Sequence, residues 1–88
     1  MGEVRGRSVG DAFEGESTFV SEDNRANLEE ALEAAAAAAA GSIEESIERG
    51  ESDGKTAYQA SYDVQIEIEI RKHNQHVRTY RVRITPGG

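Results

Sequence analysis

Between Tyr58 and Arg71 the chain alternates without a break. Tyr58, Ala60, Tyr62, Val64, Ile66, Ile68 and Ile70 hold the even positions, and Gln59, Ser61, Asp63, Gln65, Glu67, Glu69 and Arg71 hold the odd ones. Successive side chains of a β-strand point to opposite faces, so this period of two predicts a long strand with one buried and one wet face. At about 3.3 Å per residue it spans roughly 40 Å, which is long for a strand in so small a domain. One short helix cannot cover it. The strand is therefore expected to bend or to project into a neighbouring subunit, and the chain to form a homo-oligomer.

Composition strengthens that expectation. Leu, Ile, Val and Phe together supply only 16 of 88 residues, 12 more are alanine, and the net charge is −7. So small a core supplies a few kcal/mol of net stability at best, and small domains commonly find the rest by association. A single domain fits the length. There is no run of about 20 apolar residues to make a membrane-spanning helix. No cysteine is present to build a disulfide framework or a thiolate zinc site. Met1 to Gly10 lacks the apolar run of a signal peptide. The expectation is a cytoplasmic protein with no membrane partner and no large enzyme active site.

Charge is unevenly spread. Residues 1–70 hold all 17 acidic side chains against 5 basic ones, while residues 71–88 hold Arg71, Lys72, Arg78, Arg81 and Arg83 and no acid. Those bases interleave with Tyr80, Val82 and Ile84, which predicts a last strand rather than a basic tail. A three-residue loop, Asn74-Gln75-His76, would align Ile70 with Tyr80, Ile68 with Val82 and Ile66 with Ile84. It would also set Glu69 against Arg81 and Glu67 against Arg83, and opposite charges across strands stabilise a hairpin. Pro86 would end the strand, leaving residues 87–88 as a tail.

Residues 1–11, with three glycines and no period, are read as a flexible leader. Ala12 to Val20 reads as a short first strand. Ser21 to Asn24 offers helix N-caps, and Leu28, Leu32, Ala35, Ala39, Ile43 and Ile47 then form one stripe at helical spacing. Gly41-Ser42 interrupts the pattern, and Ser42 with Glu45 makes a capping box, so either one kinked helix or two helices would end near Arg49, with Gly50 at C′. The seven alanines from Ala34 to Ala40 have two readings: helix propensity alone, or a methyl-only face for close packing. The expected fold is α+β, with residues 12–86 as one β-α-β-β domain. In it a three-stranded antiparallel sheet packs on one alanine-rich helix. Val64, Ile66, Ile68, Ile70, Val82 and Ile84 would lie under Leu28, Leu32, Ile43 and Ile47.

That order, with an N-cap serine before a Leu/Ala-rich helix and an aromatic-led last strand, Tyr80-Arg-Val-Arg-Ile, resembles the dodecin family over roughly residues 13–85. The resemblance implies a sheet curled round one helix, assembly into a hollow twelve-subunit shell, and flavin storage. Flavin-binding members stack the ring on a tryptophan near the start of the second strand, and this chain has none. Tyr58, Gln59 and Tyr62 stand nearest that position and are the candidate ligand-binding residues.

Other chemistry is thinly represented. His73 and His76 have a metal-like spacing, but soft-metal sites need three or four ligands, and an exposed loop explains them better. Asp63, Glu67 and Glu69 form a carboxylate row suited to a hard cation or to acid–base work, yet Arg81 and Arg83 are expected to pair with it. Nucleic-acid binding by the arginine strip is disfavoured by the net negative charge. No nucleophile has a partner base. The expected function is a small oligomeric binding or storage protein of the dodecin-like kind, ligand unidentified. The competing class is a non-catalytic structural or protein-interaction module.

Overall fold

The computed structural model describes residues 2–50, 59–73 and 76–87. Strands β1 (Glu3–Val9) and β2 (Ala12–Thr18) form a hairpin, helix α1 (Leu28–Glu48) follows, and strands β3 (Tyr62–Ile70) and β4 (Val77–Pro86) form a second hairpin. All four strands make one antiparallel sheet in the order β1-β2-β4-β3. The fold is α+β as the sequence predicts. The sheet, however, has four strands rather than three.

The additional strand lies inside the segment read as a leader. Its helix-side positions are Val4, Gly6 and Ser8, too small and too polar to register as an apolar alternation. Small side chains are what the site requires, because a Cβ on Gly6 would lie 2.7 Å from the Ala34 carbonyl oxygen. Val9 pairs with Ala12 across a two-residue turn, in which Gly10 has φ +61°, the left-handed region that tight hairpins use.

Helix α1 begins three residues after the Ser21–Asn24 caps proposed from sequence. Asn27 is the N-cap, its Oδ1 accepting from the Glu30 N–H at 3.3 Å. Ser21 to Asn24 instead closes a turn, with Val20 N–H donating to the Asn24 carbonyl at 2.9 Å. The helix runs unbroken through Gly41-Ser42, so neither a second helix nor a restart occurs. It stops where expected: Arg49 is the C-cap and Gly50 follows with φ +79°.

The helix buries Ala31, Ala35 and Ala39, not the leucines. These alanines form the core with Val82 and Ile84, and Phe13, Tyr62 and Tyr80 pack against its margin. Of the two readings of the alanine run, close packing is the one realised. The approach is tightest at Gly15, where a Cβ would sit 1.8 Å from the Ala31 carbonyl oxygen. Leu28, Leu32 and Ile47 remain exposed, which corrects the expected leucine-lined interface.

Ser17 ties the sheet to the start of the helix. It is fully buried, and its Oγ accepts from the Asn27 N–H at 2.9 Å and donates to Glu30 Oε2 at 3.3 Å. Ser17→Ala removes both bonds and leaves the Asn27 donor unsatisfied beside the core. The expected loss is about 1–3 kcal/mol, read as a lower urea midpoint at unchanged slope.

The second hairpin keeps its faces but shifts its register by two. Ile68 pairs with Tyr80, Ile66 with Val82, Val64 with Ile84 and Glu67 with Arg81, and an irregularity then sets Ile70 against Val77. The three-residue loop is thus replaced by a six-residue connection, residues 71–76, of which Asn74 and Gln75 lie outside the described residues. Acids on β2 make the shift tolerable, because Glu14 and Glu16 lie opposite Arg83 and Arg81 and Arg83 keeps a partner although Gln65 now faces it on β3. Both arginines therefore have partners from the first hairpin that the sequence register had left unused. The strand itself is shorter than its alternation suggests, nine residues beginning at Tyr62. Pro86 ends β4, and the Gly87 N–H donates to the Ser61 carbonyl at 2.8 Å.

Candidate functional site

The two faces of the sheet differ completely. The face away from the helix carries a charge ladder that crosses all four strands. Arg7 lies 3.0 Å from Glu14 on β2, and Glu14 lies 3.4 Å from Arg83 on β4. One row along, Arg81 bridges Glu16 at 3.2 Å and Glu67 on β3 at 3.1 Å. The hydrogen bond that Arg81 donates to Glu16, with support from Glu67, holds the guanidinium above its ordinary pKa. Of the carboxylate row, Glu67 pairs with Arg81 and Glu69 with Arg78, while Asp63 lies opposite Thr85. Among the described residues no three His, Asp or Glu side chains gather as a metal site.

The helix-side face is only half covered. Helix α1 packs over β1, β2 and β4, and among the described residues it makes no contact with β3. Val64, Ile66, Ile68 and Ile70 consequently keep 54, 48, 56 and 60% of their surface exposed. Leu28 and Leu32 stand exposed on the helix, so the chain carries two exposed apolar sets on its helix side. A monomer seldom exposes a contiguous apolar patch of more than a few hundred Å², and larger ones mark interaction sites. The strand is also a sheet edge, with a row of unpaired backbone donors and acceptors.

Of the three ligand residues proposed from sequence, two lie among the described residues. Tyr58 lies outside the described residues. Gln59 is exposed and precedes the strand. Tyr62 is half-buried and meets Phe13 edge-to-face at 6.1 Å, which makes it part of the core margin. The described residues therefore offer no flat aromatic platform of the kind a flavin ring stacks on.

A second feature was not anticipated from sequence. His76 stacks on Phe19 with ring centroids 5.5 Å apart and planes 10° from parallel, and its Nε2 lies 3.0 Å from Glu22. Glu22 also pairs with Arg25, whose hydrogen bond, aided by the charges of Arg25 and His76, holds that carboxyl below its ordinary 4.5. A cleft of about 200 Å³ lies beside the stack, lined by Phe19, Val20, Arg71, His76 and Arg78. Small-molecule sites usually enclose about 300–1,000 Å³. The cleft is thus undersized, and its two rings already satisfy each other. The apolar face of β3 is the stronger candidate. The signal for it was present in the sequence as a strand longer than its helix can cover.

No family model matches the chain, and no curated protein or solved structure matches it either. Among the described residues no helix is long and apolar enough to cross a membrane.

Proposed function

We propose that this chain is a non-catalytic, self-associating binding protein of the dodecin-like kind, in which subunits cover one another's apolar strand faces and enclose a small ligand not yet identified. The observation that carries this reading is the uncovered run Val64, Ile66, Ile68 and Ile70 on an edge strand. Burial of such a face is worth about 25 cal/mol per Å², so four large side chains supply a driving force that the alanine core alone lacks. Support for the dodecin-like reading comes from the succession β2, α1, β3, β4 and the strand order β2-β4-β3, with the helix over β2 and β4. Strand β1 is an addition to that plan. With no aromatic platform among the described residues, flavin is not the ligand proposed.

Light scattering on a size-exclusion column tests this directly. The expected mass is a multiple of the 9.6 kDa chain. A species of single-chain mass at micromolar concentration would overturn the proposal. It would favour instead an interaction module whose β3 edge takes a strand from a different protein.

A further inference from the structure

The geometry points to a specific mode of self-association: β3 of one copy pairs antiparallel with β1 of the next, continuing the sheet head to tail. This inference rests on the self-association proposed above and adds its interface and register.

The charge ladder is the first argument. Inside the sheet, Glu14 lies between Arg7 and Arg83, and Arg81 lies between Glu16 and Glu67. The alternation of sign is cut off at both edges. Strand β3 ends it with Glu67 and Glu69, which among the described residues pair with Arg81 at 3.1 Å and Arg78 at 3.9 Å on the β4 side. Strand β1 ends it with Arg5 and Arg7, whose side chains are 79 and 68% exposed. One edge is acidic and the other basic.

Direction agrees with charge. The order β1-β2-β4-β3 is antiparallel throughout, so β3 and β1 run in opposite directions. A second copy placed in the same orientation therefore presents β1 antiparallel to β3. One register opposes unlike charges in three successive rows: Arg71, just past the end of β3, opposite Glu3 of the next copy, Glu69 opposite Arg5, and Glu67 opposite Arg7, while Asp63 falls beyond the end of β1. In that register Ile70 faces Val4, Ile68 faces Gly6 and Ile66 faces Ser8 of the next copy. The two isoleucines thus lie beside small side chains. Because α1 packs over β1, the incoming copy also brings its own helix to the bare side of β3.

Pairings related by a two-fold axis fit worse. Two β3 strands centred on Ile66 would set Asp63 against Glu69, and centred on Glu67 they would oppose two glutamates, which is destabilising. Two β1 strands centred on Val4 gain Glu3–Arg5 pairs but leave the β3 face uncovered. A head-to-tail interface is heterologous, so it closes into a ring or grows as a filament.

Engineered cross-links test the register. The chain has no cysteine, and Ser8 and Ile66 lie on opposite edges of one sheet, too far apart to bridge within a chain. Oxidising a mixture of the Ser8→Cys and Ile66→Cys variants should give a covalent dimer on a non-reducing gel, while each alone stays single. The doubly substituted chain should give a ladder of multimers. A covalent dimer from Ile66→Cys alone would overturn the inference, as would the absence of cross-links in a protein whose mass is still oligomeric. A wild type of single-chain mass would instead overturn the self-association beneath it. Arg5→Glu and Glu69→Arg provide a second measurement that asks less of the fold. Each should raise the dissociation midpoint several-fold to about tenfold, and mixing the two should restore it. No recovery on mixing would overturn the proposed register.

Discussion

Gly15→Ala is expected to lower the unfolding free energy by about 3 kcal/mol or more, the upper end of what overpacking costs. The added methyl would lie 1.8 Å from the Ala31 carbonyl oxygen and 2.5 Å from the Ala35 backbone nitrogen. Neither is the end of a flexible side chain, so the whole helix must lift. Lifting it opens the contacts of Ala31 and Ala35 with the core, which holds few other apolar groups. A domain of this length has a total stability of only about 4–13 kcal/mol. Gly41→Ala should do the reverse. Nothing lies within 4 Å of its position, and it sits in the middle of a helix, where alanine gains about 0.5–1 kcal/mol over glycine. Urea denaturation followed by circular dichroism reads both. Equal midpoints for Gly15→Ala and the wild type would mean that the helix does not approach β2 this closely.

The same glycine shows where sequence reasoning stops. In a strand pattern Gly15 counts against the strand, because it adds no packing and costs entropy. Its use appears only once the helix is placed over it. Alanine poses the matching problem. Leu28, Leu32, Ile43 and Ile47 dominate any apolar stripe, so periodicity aims the helix through them. The buried face keeps two members of that stripe, Ala35 and Ala39, and adds Ala31 in place of the large side chains. What selects it is distance to the sheet, which no count of apolar residues contains. The even-position faces of β3 and β4 were legible because the alternation is long. Their register was not, since the acids of β2 give Arg83 a partner in Glu14 even when Gln65 lies opposite it on β3, so charge matching within the hairpin alone does not fix the alignment. Strand β1 was hidden because its helix-side residues are small by necessity. The long alternation did signal the candidate surface.

Ile66 and Val82 lie opposite each other on the same face, yet Val82 is fully buried and Ile66 about half exposed. Threonine retains the branched shape that suits a strand and adds a hydroxyl. Val82→Thr buries that hydroxyl between the helix and the sheet, with an expected cost of about 1–3 kcal/mol in subunit stability. The double substitution Ile66→Thr and Ile68→Thr places its hydroxyls where the single chain leaves them wet. Each exposed change is expected to alter subunit stability by no more than about 0.5 kcal/mol. The assembly should respond in the opposite sense. Removing two of the four large side chains from the face that a second copy covers should shift the scattering mass toward the single chain, while Val82→Thr subunits that remain folded still associate. A large loss of subunit stability from the isoleucine pair would mean that this face is covered within the chain. An unchanged mass would mean that subunits meet elsewhere. Either result would remove the observation on which this mode of self-association rests, because the bare face of β3 would then have no part in assembly.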